Sequence, residues 1–401
     1  METRPRDIIY LDNNATTRVA PEVFEAMVPF LTEFYGNPSS VYTFGAQVGR
    51  AIDAARERVA ALLGCDPAEI VFTGCGTESD NAAINSAIRT SGRQHIVTTR
   101  VEHSAITRHC AALERSGHPV TWLDVDPGGL LDMSAVERAI GPTTAIVSAM
   151  WANNETGVLF PIDEIADICR SKGVLFHTDA VQALGKAPVD LARANVDLAS
   201  FSGHKFHAPK GVGILFVRKG TRFASHILGG GQEKGRRGGT ENTASIVGLG
   251  RAAELAMEGL ADRRARVCRL RDKLEDAILA SIPGTRVNGD RQRRLPNTSN
   301  ISFAHIEAES LLLELDRHGI CASSGSACTT GSLEPSHVLT AMGLDSPAAR
   351  ASIRFSLSGY TTDAEIDRTA ETLPALVAKL RAASPRRSLK LSPNRPPSLQ
   401  F

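Results

Sequence analysis

The stretch Ser200-Phe201-Ser202-Gly203-His204-Lys205-Phe206-His207 follows the apolar run Val196-Asp197-Leu198-Ala199 and sets one lysine just past a buried strand. Ligands of open parallel sheets bind outside the carboxyl ends of the strands, so a lysine on such a turn is placed to point into a crevice. Gly203 would let backbone come close to a ligand, and Ser202 and His204 add hydrogen-bonding groups beside it. A lysine after a strand is ordinarily a solvated surface residue. Here its company argues otherwise, because Ser, Gly and two His surround it and Asp179 ends an earlier strand in a matching position. At its ordinary pKa of about 10.4 the amine is protonated and a poor nucleophile, whereas burial or neighbouring cations would open it to Schiff-base chemistry.

Outward from that turn, the chain alternates strand and helix. Ile70-Val71-Phe72-Thr73 ends in Gly74-Cys75-Gly76-Thr77-Glu78-Ser79-Asp80, and Ala82 to Ile88 then reads as a helix. A glycine-rich turn opening a helix favours a phosphate through its free N–H groups and dipole. Thr77 reads equally as ligand or as helix cap. Neither Gly-x-Gly-x-x-Gly nor a P-loop ending is present, so no nucleotide fingerprint is met. Further strands are read at 95–101, 119–123, 145–151 and 174–178. They lead to His103, to Asn154 and to Asp179 with Gln182. This alternation predicts an α/β fold with a largely parallel sheet covered on both faces. His103, Asn154, Asp179, Gln182 and Lys205 are thereby expected in one crevice.

That set matches what pyridoxal 5'-phosphate requires: a lysine for its aldehyde, an acidic partner for the ring nitrogen and donors for its phosphate. Asp179 would keep the nitrogen protonated, Gln182 would donate to the phenolic oxygen, and His103 would stack on the ring and shuttle protons. Any one of these residues alone reads as a cap or a packed polar group. Their joint occurrence carries the reading.

Length and composition bound the alternatives. The 401 residues are 42% hydrophobic and 22% charged, as in globular proteins with a sizeable core in two or three domains. Lys plus Arg 45 against Asp plus Glu 44 gives net +1, which supplies no bulk attraction for nucleic acid or an anionic membrane. Residues 1–7 lack a signal-peptide core and no apolar run reaches a membrane span, so a cytoplasmic location is expected. Seven scattered cysteines, with no Cys-x-x-Cys, argue against disulfides and structural zinc.

A strand at 211–217 precedes a glycine-rich loop, Gly229-Gly230-Gly231-Gln232 and Gly238-Gly239-Thr240. That loop reads either as a flexible linker or as a phosphate contact through Thr240 to a partner subunit. Residues 243–282 are strongly helical, with a domain boundary placed near residue 262. A smaller α/β unit follows: strands 299–303, 319–322 and 351–357, with helices 307–318, 334–342 and 363–382. Inside it, Ser323-Ser324-Gly325-Ser326-Ala327-Cys328-Thr329-Thr330-Gly331-Ser332 surrounds a thiol with small residues that cannot bury it. The glycines would let that loop swing, and an exposed thiol near cations can ionise. Arg354 offers a fork for a substrate carboxylate.

Six segments resemble those of the cysteine desulfurases of the class-V aminotransferase family, most closely the nitrogen-fixation type. They are Leu11-Asp12-Asn13-Asn14-Ala15-Thr16-Thr17, Gly76-Thr77-Glu78-Ser79, Trp151-Ala152-Asn153-Asn154-Glu155-Thr156-Gly157, His177-Thr178-Asp179-Ala180-Val181-Gln182, Ser202-Gly203-His204-Lys205 and Ser323-Ser324-Gly325-Ser326-Ala327-Cys328. The resemblance implies a homodimer of aminotransferase-like fold (fold type I) with pyridoxal phosphate on Lys205. Its contacts would come from Gly76, Thr77, His103, Asn154, Asp179, Gln182, Ser202, Gly203, His204 and, across the dimer, Thr240. It also implies that L-cysteine rests on Arg354 and Asn154, Lys205 moves the α-proton, His103 acts near the leaving group, and Cys328 takes the sulfur as a persulfide, leaving alanine. An iron–sulfur scaffold protein would accept that sulfur, with nitrogenase as the destination and a transient iron–sulfur contact at Cys328. The chain would divide into a cofactor-binding unit at 15–262, a smaller unit of 1–14 with 263–383, and a Pro-, Ser- and Arg-rich tail at 384–401 that reads as disordered. Alternatives of the same fold are an aminotransferase, a housekeeping desulfurase or a selenocysteine lyase. A non-enzymatic iron–sulfur carrier is disfavoured by cysteines without ligand spacing.

Overall fold

The computed structural model describes residues 8–324 and 334–383; Cys328 and the segment 384–401 lie outside the described residues. Twelve strands are present among the described residues: β1 (Ile9–Tyr10), β2 (Ile70–Thr73), β3 (His95–Thr99), β4 (Val120–Leu123), β5 (Thr144–Ser148), β6 (Leu175–Asp179), β7 (Leu198–Ser202), β8 (Gly213–Val217), β9 (Thr285–Val287), β10 (Thr298–Phe303), β11 (Ile320–Cys321) and β12 (Ser352–Ser356). Seven of them form one sheet in the order β2-β8-β7-β6-β5-β3-β4. Neighbours from β7 to β4 run parallel, and only β8 runs against the rest.

The short link from Lys205 to Gly213 explains that reversal. A parallel partner needs a crossover of a dozen or more residues, and this connection has no room for one. In β2 the alternation of side chains places Ile70 and Phe72 in the apolar cluster on one sheet face and Val71 in the cluster on the other. Both faces are thus covered, as a parallel sheet requires.

The segment read as one helical run over 243–282 is two helices, Thr243–Met257 and Leu260–Ser281. Gly259 breaks them with φ of 60°, a left-handed conformation that costs glycine little. Arg263 Nη1 donates to the freed carbonyl of Glu258 at 3.0 Å. The helix read at 82–88 is longer, Gly76–Ser91, and begins in the glycine-rich turn itself.

A second apolar cluster draws on Ile9 and Leu11 from the N-terminal arm together with residues between Val267 and Val377. Its antiparallel sheet has the order β12-β10-β9, while β1 pairs in parallel with β11. The arm then bridges to β12 at Asp12 and Ser356, which carries Asn14 to the edge of the large sheet.

Candidate active site

The carboxyl ends of β2, β3, β5, β6 and β7 open on one cavity of about 250 Å³. Nine of the residues singled out in the sequence line it: Gly76, Thr77, His103, Asn154, Asp179, Gln182, Ser202, His204 and Lys205. Lys205 ends a one-turn helix, Gly203–Lys205, directly after β7. Its Nζ donates to the main-chain oxygens of Asn14 at 2.7 Å and Ala15 at 2.8 Å. The arm that closes the second apolar cluster therefore also receives the reactive amine.

Across the cavity the 16-residue helix Gly76–Ser91 starts. Its first N–H groups have no acceptor within the helix and present an anion site. A Cβ on Gly76 would come within 2.9 Å of Val181 Cγ2 and 3.4 Å of Ser202 Cβ, so glycine is what lets this turn seat against β6 and β7. Cys75 caps the helix, its Sγ accepting from the Glu78 N–H at 3.4 Å.

Burial governs the charges. Asp179 is pushed up to about 6 by desolvation, opposed by the Val181 N–H and by Lys205. One of its oxygens accepts from Val181 N at 3.0 Å. Asp80, also in the cavity wall, is raised well above the usual carboxylate range by burial and then by Asp179; its Oδ1 has no hydrogen-bond partner. The charge of Asp179 thus adds to burial in disfavouring the ionised form of Asp80. Behind them His177 links Ser148 and Ser200 with two 2.9 Å contacts and is pushed down to about 3 by burial. His103 is driven down to about 4 by burial, then by Lys205 and His337. Its Nδ1 accepts from the Ala105 N–H at 3.2 Å, which leaves the imidazole neutral with its proton on Nε2.

Four predicted residues do not line this cavity. Gly203 faces Val212, Ala208 and Leu249, where a Cβ would meet atoms at 3.0 to 3.1 Å, so its smallness serves core packing. Thr240 is exposed on its loop, outside the chain's own cavity. That loop is not a free linker: Glu233 is buried and clamps Arg56 through contacts of 2.7 and 2.8 Å. Arg354 is 3% exposed and already engaged, Nη2 on Asp12 Oδ1 at 2.6 Å and Nη1 on the Asn154 carbonyl at 2.9 Å, while Nε has no partner. It touches the cavity through Asn154. Cys328 lies outside the described residues; among those described, the strand-like bridge of Ser323 to Arg354 fixes where its segment departs.

Sequence reasoning gave no role to Asp80, Asn14 and Lys186. Asp80 and Asn14 stood inside quoted motifs, but their roles depend on neighbours far away in the chain, as Asp80 beside Asp179 and Asn14 beside Lys205 and Gln182 show.

Pyridoxal phosphate fits this donor set. The buried Asn154 Oδ1 and Asp80 Oδ1 lack partners, Asp179 offers a carboxylate to a ring nitrogen, and the helix start with Ser202 and His204 offers donors to a phosphate. Among the described residues no group of three or more His, Cys, Asp or Glu is placed to hold a metal ion, and no helix is long and apolar enough to cross a membrane.

Comparison with known proteins places this geometry. The model of the family "Aminotransferase class-V" matches residues 9–369. A cysteine desulfurase of Trichormus azollae is 56% identical over 379 residues, 94% of this chain and 95% of the relative. The cysteine desulfurase NifS of Azotobacter vinelandii is 54% identical over 379 residues, 94% of each chain. A solved NifS-like protein superposes with a TM-score of 0.88 at 38% identity, covering 93% of this chain and all of that one. With a family model matched over most of its length and relatives more than half identical, the chain belongs to the class-V aminotransferase family, within its cysteine desulfurases.

Proposed function

We propose that the protein is a pyridoxal-phosphate-dependent cysteine desulfurase that converts L-cysteine to L-alanine and carries the sulfur as a persulfide on Cys328. The observation that carries the reading is the convergence of Lys205, Asp179, Gln182 and His103 on one cavity. When bound, pyridoxal phosphate supplies an electrophilic aldehyde carbon and an electron-accepting ring. Lys205 would bind its aldehyde, Asp179 would hold the proton at its ring nitrogen, Gln182 would donate to its ring oxygen, and Gly76, Thr77, Ser202 and His204 would hold its phosphate.

Arg354, together with Asn154, orients the substrate carboxylate. Lys205 moves the proton from the substrate α-carbon. The Cys328 thiolate attacks the substrate sulfur, forming an S–S bond as the carbon–sulfur bond breaks. His103, neutral at neutral pH, moves a proton through Nε2 near the departing group.

A second copy of the chain completes the site in this reading. The segment from Pro21 to Tyr42 exposes Phe24, Leu31, Tyr35, Val41 and Tyr42, a run of large apolar side chains unusual on a monomer surface. Exposed Thr240 is then available to a neighbour's phosphate site. Sulfur passes from Cys328 to an iron–sulfur scaffold protein in the cytoplasm, nitrogenase being the destination by similarity to the nitrogen-fixation relatives. The larger unit is taken as 15–262 and the smaller as 1–14 with 263–383.

The test is incubation of the purified protein, loaded with pyridoxal phosphate, with L-cysteine. Alanine should appear, the Cys328 peptide should gain the mass of one sulfur, and sedimentation should give a dimer. A keto-acid product, or alanine without sulfur on Cys328, would sink the reading.

A further inference from the structure

A second lysine stands behind the reactive one. Lys186, on the turns after β6, donates from Nζ to Gln182 Oε1 at 2.6 Å and to Asn14 Oδ1 at 3.2 Å. The direction of these bonds is fixed from outside. The main-chain oxygen of Asn14 can only accept, and Gln182 Nε2 lies 2.9 Å from it, so the Gln182 amide must turn its oxygen to Lys186. Likewise Asn14 Nδ2 donates to the Asn154 carbonyl at 3.1 Å, which leaves Oδ1 facing Lys186 and Asn297 Nδ2. Lys186 therefore donates in both contacts, whether charged or neutral. Burial, then the charges of Lys205 and Arg354, pushes its pKa well below the ordinary lysine range.

The Asn14 main-chain oxygen, which takes Gln182 Nε2, also accepts Lys205 at 2.7 Å. One donor thus orients both the amide that faces the cavity and the arm that receives the reactive amine. Lys186 itself does not line the cofactor cavity; it shares with Lys205 the wall of a separate cavity of about 280 Å³. We infer that Lys186 is a positioning residue: by holding Gln182 Oε1 and Asn14 Oδ1, it fixes the Gln182 amide in the cavity wall, with Nε2 on the Asn14 main-chain oxygen, and the arm residue on which Lys205 rests. Removing it leaves a buried amide oxygen without a donor, free to turn, and loosens the arm. The inference rests on the cofactor reading above.

The test compares wild type with Lys186→Met, Lys186→Arg, Gln182→Met and the double variant Lys186→Met/Gln182→Met. Pyridoxal phosphate affinity and the pH dependence of its visible absorption are read without L-cysteine. Lys186→Met should weaken cofactor affinity about tenfold, the scale of one lost buried hydrogen bond, and displace the absorption midpoint. Lys186→Arg, which still donates, should restore the midpoint, and the double variant should bind no more weakly than Gln182→Met alone. An unchanged midpoint in Lys186→Met, or losses that add in the double variant, would overturn the inference. If Lys186→Met does not fold, Lys186→Leu, which also lacks a donor, supplies the same comparison. Because these readouts need no turnover, absence of desulfuration in wild type would defeat the functional reading and leave this inference standing.

Discussion

Two buried carboxylates in this molecule have opposite fates. Glu275, in the second apolar unit, is fully buried, yet its pKa lies below the usual range: burial pushes it up, and hydrogen bonds from Arg294 and Ser299 with the charges of Arg294 and Arg291 outweigh that. Both oxygens are taken, by Arg294 at 2.7 and 2.9 Å and by Ser299 at 2.6 Å. Asp179, at the large sheet's carboxyl edge, is as well enclosed but holds one main-chain N–H and is pushed up to about 6. Burial does not separate a structural charge from a working one; completeness of partners does. The cavity wall keeps an unspent acceptor on Asn154, capacity a ligand can complete, while Asp80 Oδ1 stands 3.6 Å from His177 Nε2.

Substitutions can break this contrast or sharpen it. Lys205→Ala should give the largest effect, lowering cysteine turnover by at least about a thousandfold while leaving the melting temperature of the cofactor-free protein nearly unchanged. Glu275→Ala should do the reverse, costing about 3–5 kcal/mol in denaturant unfolding because Arg294 is left buried without its partner. Turnover per folded molecule should hold. If Glu275→Ala were harmless to stability, the contrast would fail.

Asp179→Asn should lower turnover by about 100-fold or more, through loss of the charge at the ring nitrogen, with little loss of stability. Steady-state kinetics and thermal melts on one preparation check both halves.

The histidines give a pH signature. His177 and His103 are held near 3 and 4 in the folded chain against 6.5 when free. As pH falls below about 6.5 the unfolded chain takes up protons that the folded one refuses, so their contribution to stability is lost progressively toward pH 4. Melting curves should show His177→Gln gaining on wild type as pH drops through that window.

Glu102 runs the other way. Burial raises it to about 8, opposed by bonds from Met150 N and Thr99 Oγ1, so its neutral form favours the fold and that benefit is lost as pH rises from about 4.5 to 8. Glu102→Gln should therefore gain on wild type in melting curves as pH rises through that window.

The sequence was most legible where the signal was local. Strand ends carry polar residues just after apolar runs, and that pattern located Asp179, Gln182, His103 and Lys205 at one edge. It was silent where partners lie far apart in the chain. Asp12 occupies Arg354 from 342 residues away, so Arg354 read as an open fork when it is half-spent. Gly203 read as a ligand contact because a glycine beside a lysine has two uses, and only the packing of Leu249 against it shows the second. The reversed strand β8 could have been read from its short connection, whereas the helix break at Gly259 leaves the apolar spacing on either side almost undisturbed.

The central claim is that Lys205, and not its buried neighbour Lys186, carries the cofactor. Borohydride reduction of the pyridoxal-phosphate-loaded protein, followed by peptide mass mapping, tests it directly. The account predicts the pyridoxyl mass on the peptide containing Lys205 alone; the label on Lys186, or no label at all, would contradict it.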